Sequence, residues 1–93
     1  MNKKELFEKA IELHQSGNID EADKIYVSIL DEDNDNFAAN FLHGCVLSDR
    51  SEFAESVKFL ETALRLQPDN YDVNNSLGIA HKNLENYDKS EKY

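Results

Sequence analysis

Residues 35–44 read Asp35-Asn36-Phe37-Ala38-Ala39-Asn40-Phe41-Leu42-His43-Gly44, and residues 69–78 read Asp69-Asn70-Tyr71-Asp72-Val73-Asn74-Asn75-Ser76-Leu77-Gly78. The Asp-Asn-aromatic opening, the asparagine and the glycine hold the same places in both stretches, 34 residues apart, with no gap between the copies. Outward from this core the step persists: Leu13, Lys24 and Leu30 return as Leu47, Lys58 and Leu64. Residue chemistry recurring at one fixed step of this length marks a repeat array, in which each unit buries its apolar face against its neighbours.

Each period reads as two helices. From Lys3 to Gln15 the apolar residues Leu6, Phe7, Ala10, Ile11 and Leu13 fall at helical spacing, and Ala22, Ile25, Tyr26, Ile29 and Leu30 continue the pattern from Ile19. Ser16-Gly17-Asn18 separates them. The second pair spans Phe37 to Asp49 and Phe53 to Leu66, turning around Arg50-Ser51-Glu52 and ending at Pro68, which disfavours helix in the residue before it. A third pair opens near Tyr71, with its turn expected at Glu85-Asn86, and is cut short at Tyr93. One proline, three glycines and no Asn-Gly or Gly-Gly turn leave little punctuation for hairpins.

Two columns of small residues run through the register: Ala10, Gly44 and Gly78 in the first helices, and Ala22, Ser56 and Ser90 in the second. They predict the point of closest approach within each antiparallel pair, where a larger side chain overpacks. This arrangement resembles the tetratricopeptide repeat family, whose unit carries a Leu-Gly pair, an aromatic at the start of the second helix, a small residue three further on and a closing proline. Leu77-Gly78, Phe53, Tyr87, Ala22, Ala63 and Pro68 match that pattern. The departures are the lack of tryptophan, Asn40 and Asn74 where a bulky residue is usual, and Asn34 in place of the first proline. The resemblance implies an all-α fold of helix-turn-helix repeats stacked as a right-handed solenoid. The repeats fall at 3–36, 37–70 and an incomplete 71–93, within a single domain over 1–93.

The ends of the array differ in polarity. Glu5 shares its column with Ala39 and Val73, and Glu12 with Val46 and Ala80, so the first unit has the charged outer face of a cap. Leu77, Leu84, Tyr87 and Tyr93 have no following unit to cover them. The sequence is therefore expected to be the amino-terminal part of a larger protein, with self-association or fraying at its carboxyl end.

A stripe one residue beyond the packing face, Phe7, Ile11 and His14, continues as Phe41, Cys45 and Ser48 and then as Asn75, Ile79 and Lys82. Family resemblance implies that this is the peptide-binding surface of the concave groove, with an apolar floor of Phe7, Ile11, Phe41, Cys45 and Ile79 and a polar end at Asn75, Lys82 and Asn83. Phe7 and Phe41 fit equally a role in filling the core. Members that clamp acidic carboxyl-terminal tails use lysine, asparagine and arginine in columns that here hold Phe7, Ile11, Leu42, Asp72 and Ser76, so that clamp is not expected.

Charge narrows the partner. The 93 residues carry nineteen acidic and ten basic side chains, a net charge of −9, which repels phosphate backbones and anionic lipid. The expected partner is a protein or peptide, neutral or basic, with an apolar anchor; nucleic acid and membrane are not. No apolar run reaches the length of a membrane span or of a secretory leader, and the single cysteine, Cys45, suits a reducing, cytoplasmic setting.

Candidate chemistry is sparse. Asp31-Glu32-Asp33-Asn34-Asp35 has calcium-loop spacing, but Asn36 replaces the turn glycine and Leu42 the bidentate glutamate, so it reads as an inter-repeat turn capped by Asp35 or Asn36, with Asp69 or Asn70 as counterpart. His43 and Cys45 stand two apart on a helix and point about 200° from each other. His14, His43 and His81 occupy three different columns and read as surface or half-buried residues. No cofactor, metal site or catalytic constellation is expected. The sequence thus predicts a non-catalytic scaffold module. Its alternatives are an accessory module of a multidomain enzyme, such as a glycosyltransferase or methyltransferase, or a self-association module.

Overall fold

The computed structural model describes residues 2–91, with side chains for residues 2–86. Five helices follow in order: α1 (Lys3–Gln15), α2 (Ile19–Glu32), α3 (Phe37–Asp49), α4 (Phe53–Leu66) and α5 (Tyr71–Glu91). No strand occurs among the described residues. Successive helices pack on one another, and α3 also touches α5, the first helix of the next unit. The all-α, helix-turn-helix reading holds.

The same capping devices recur at the repeat step. Asn2, Asn36 and Asn70 precede α1, α3 and α5, and their Oδ1 atoms accept from the backbone N–H of Glu5, Ala39 and Val73 at 2.8, 2.9 and 3.1 Å. Each satisfies one of the donors that a helix start leaves unpaired. At the other end, Gly17 (φ 90°) and Ser51 (φ 63°) take the left-handed conformation. Beyond them the N–H groups of Asn18 and Glu52 reach back to the carbonyls of Leu13 and Leu47 at 2.8 and 2.9 Å, the six-to-one bond of a Schellman stop.

The third unit departs from this scheme. The expected turn at Glu85-Asn86 is absent, and α5 runs on as one helix of 21 residues. The column that turns left-handed as Gly17 and Ser51 holds Glu85 here, and a glutamate resists positive φ. The side chains of Tyr87, Ser90 and Tyr93 lie outside the described ones. Leu77, expected to be uncovered, is only 7% exposed and belongs to the core.

The core forms two clusters. Ala10, Ala22, Tyr26 and Val46 join the first unit to α3, while Leu60, Ala63, Val73, Leu77 and Ala80 join α4 to α5. Full burial of side chains such as Val46, Leu60 and Val73 contributes about 1.5–3 kcal/mol each relative to exposure. The polarity switch between units is realised: Ala39, Val46, Val73 and Ala80 are fully buried, whereas Glu5 and Glu12 in the matching columns of α1 are exposed.

The small columns meet in the first two pairs, where Ala10, Ala22 and Ser56 are fully buried. A Cβ on Gly44 would lie 2.9 Å from Leu60 Cγ, so Leu60 occupies the notch that glycine leaves. At Gly78 a Cβ would meet nothing within 4 Å, which corrects the expectation of a third notch. With α5 continuous to Glu91, no second helix of the third unit stands opposite Gly78 among the described residues.

Asn40 and Asn74 explain themselves. The Asn40 Nδ2 donates to the carbonyls of Asn34 and Asn36 at 3.0 and 2.8 Å, and the Asn74 Nδ2 to those of Pro68 and Asn70 at 3.3 and 2.9 Å. In place of a bulky side chain, an amide ties the inter-repeat turn to the helix it introduces. Of the acidic segment 31–35, expected to be a turn throughout, Asp31 and Glu32 complete α2 and only 33–35 turn; there Asp33 pairs with Lys3 at 3.3 Å and Asp35 with Arg65 at 2.7 Å.

Candidate functional site

The predicted groove residues separate into three groups. Cys45 and Ser48 of α3 and Ile79 of α5 come together, joined by Asp49 and Ser76, around a cleft of about 150 Å³. This cleft crosses the boundary between the second unit and α5. Ile79 is 50% exposed, although the hydrophobic effect favours its removal from water. Asn75 and Lys82 on α5 are exposed and do not line the cleft.

Phe7 and Phe41 are partly buried and pack against the core clusters. Phe7 packs on the first cluster with its ring centroid 6.0 Å from that of Tyr26. Part of it also lines a separate open hollow of about 550 Å³ with Lys3, Lys4, Glu8, Asn36 and Ala38. Phe41 packs on the second cluster and stacks with Phe37 at a centroid distance of 6.1 Å. Ile11 is half-buried, and His14 turns toward α2, its Nδ1 3.0 Å from the Tyr26 hydroxyl.

Electrostatics at the cleft centre on Cys45. Burial pushes its thiol above the usual range; the Ser76 hydroxyl offsets part of the rise by a hydrogen bond, and Asp49 and Asp72 add to it. A thiol held in its neutral form is a weak nucleophile, so Cys45 acts here as a small apolar wall. Burial likewise raises the Tyr26 phenol, with contributions from Asp23 and Cys45.

A second polar cluster escaped the sequence reading. His43, expected at the surface or half-buried, is 9% exposed, and Asp23 is 7% exposed. The His43 Nδ1 stands 2.6 Å from Asp23 Oδ1, and since an ionised carboxylate only accepts, Nδ1 carries the proton. Arg50 approaches Asp23 Oδ2 at 3.5 Å and pairs with Asp20, while the Phe59 ring meets His43 edge to face at 4.5 Å. The cluster links α2, α3, α4 and the turn between the last two. Its signal in the sequence was weak: a lone acid on the apolar side of α2 and a lone histidine in the column of Leu77. His43 and Cys45 face different neighbours, as their spacing requires.

Among the described residues no helix is long and apolar enough to cross a membrane. No curated protein matches the chain. The family model described as tetratricopeptide repeat matches residues 37–70, which begins with the first residue of α3 and ends at the cap of α5. Modules of this family are of the protein-interaction scaffold kind. The chain therefore carries a tetratricopeptide repeat at residues 37–70, preceded by a helical pair of the same build and followed by a first helix in the same register.

Proposed function

We propose that the chain docks a peptide segment of a protein partner, neutral or basic and with an apolar anchor, in the cleft between α3 and α5, and that it scaffolds without catalysing. The observation that supports this reading most directly is the convergence of Cys45, Ser48 and Ile79 on one cleft across a unit boundary, with Ile79 half exposed. A cleft of this size takes one anchoring side chain, and the exposed parts of α1, α3 and α5 supply the surface along which the rest of the segment lies. The net charge of −9 draws basic segments toward the module and repels acidic ones.

The experiment is a fluorescence-anisotropy titration of peptides selected from a randomised library, with wild type and Ile79→Asp compared. Ile79 is exposed enough for the substitution to leave melting nearly unchanged, while affinity falls about tenfold or more, the worth of one well-seated apolar anchor. Unaltered affinity in the variant would rule out this cleft.

A further inference from the structure

The α3–α5 cleft combines an apolar wall with two carboxylates that the fold leaves unneutralised. Its volume of about 150 Å³ equals that of an apolar cavity able to hold one benzene-sized group, so it admits one compact side chain. Asp49 stands in the last turn of α3 and Asp72 in the first turn of α5, and both lie near enough to Cys45 for their charge to act on its thiol. Neither forms an ion pair or a side-chain hydrogen bond among the described residues. By contrast, Asp20, Asp33 and Asp35 are each paired with a base thirty residues away: Arg50, Lys3 and Arg65. Asp49 lines the cleft itself and, like Asp72, keeps its charge uncompensated by a base among the described residues. The lining of the cleft holds one acid, Asp49, and no base, and Lys82, one turn beyond Ile79, is exposed.

The geometry points to an occupant of defined chemistry: a peptide segment with a compact aliphatic side chain flanked on both sides by lysine or arginine. The aliphatic group seats between Cys45 and Ile79, and the flanking cations reach Asp49 and Asp72, their stems lying along the exposed surface of α3 and α5. This rests on the reading of the cleft as a peptide site. It inverts the charge of a site built for acidic tails. Because both carboxylates are exposed, their effect falls on encounter rate and salt dependence as much as on affinity.

The test uses the full chain. Peptides are selected from a randomised displayed library, and the best binder is compared with its copy in which every lysine and arginine is glutamine. Both are titrated against wild type, Asp49→Asn/Asp72→Asn and Ile79→Asp at low and high salt. The expected result is enrichment of lysine or arginine around a leucine, isoleucine or valine, about a tenfold preference of wild type for the basic peptide at low salt, and loss of that preference and of its salt dependence in the double asparagine variant. Selected peptides that need Ile79 but bind equally well as glutamine copies overturn the charge inference and leave the cleft as a peptide site. Selected peptides indifferent to Ile79→Asp, or a library that yields none, overturn both.

Discussion

The Ser56 hydroxyl donates to the Gly44 carbonyl at 2.7 Å, joining α3 to α4 at the point where the two small-residue columns meet. Ser56 is fully buried, so the bond both satisfies its hydroxyl and fixes the closest approach of the pair. Ala22 in the matching position of α2 makes the same approach without a bond. The notch is a packing device first, and its depth is set by what occupies it.

The two glycines on first helices therefore respond oppositely to substitution. At Gly44 an added methyl collides with Leu60 at 2.9 Å; overpacking of about 1–3 kcal/mol outweighs the gain of up to about 1 kcal/mol from better helix propensity. Gly44→Ala is expected to destabilise by about 1 kcal/mol. Gly78→Ala meets open space and should stabilise by about 0.5–1 kcal/mol. Urea unfolding of the two variants checks this, and equal shifts would show that the notches are equivalent after all.

His43 and Asp23 form a pair with little solvent around it, their side chains 11% and 10% exposed. Removing one partner strands the other, at a cost of about 3 kcal/mol, the lower end for such pairs because Arg50 remains near Asp23 at 3.5 Å. His43→Ala should show this loss in chemical denaturation. In a double-mutant cycle with Asp23→Ala, a coupling above about 1 kcal/mol is expected, and additive losses would mean that the two residues act separately.

Asn40 and Asn74 make equivalent hydrogen bonds in different surroundings. Asn40 is 2% exposed, so Asn40→Ala leaves turn carbonyls without their donor in a dry site and should cost about 1–2 kcal/mol. Asn74 is exposed, water replaces its amide, and Asn74→Ala should cost about 0.5 kcal/mol. Comparable losses in thermal or urea melts would contradict this dependence on burial.

Stability should decline in alkali. Burial holds the Cys45 thiol and the Tyr26 phenol above their ordinary values, so the native state keeps protons that the unfolded chain releases. The contribution is complete below about pH 9 and is lost progressively as the pH rises through about 9 to 10 toward the folded values. Urea midpoints measured across that range should fall, and Cys45→Ser should flatten the first part of the decline. A midpoint that rises above about pH 9 would reverse the assigned direction.

The register was the most legible feature of the sequence. It placed the start of all five helices, because an asparagine cap at the same step begins α1, α3 and α5 and a left-handed stop ends α1 and α3. It failed at Glu85, where a repeat count predicts a turn but a glutamate disfavours the left-handed conformation that Gly17 and Ser51 adopt. Similarly, Gly78 shares a column with Gly44, yet a notch exists only where something fills it, and the occupant of the Gly44 notch lies sixteen residues further on at Leu60. Cys45, Ser48 and Ile79 line one cleft because helical periodicity fixes which side chains share a face. Asp49 was not singled out, since its column holds Gln15 and Asn83 and carries no apolar signal. The Asp23–His43 pair depends on contact between units, which periodicity within one helix does not encode.

The central claim, that a partner segment anchors in the α3–α5 cleft, is tested most directly by mapping backbone amide shifts in an isotope-labelled sample as a selected basic peptide is added. The account predicts that the largest changes cluster at Cys45, Ser48, Asp49, Ser76 and Ile79, with little change at Lys24 and Val27 on α2. Changes centred on α2, or spread evenly without saturation, would contradict it.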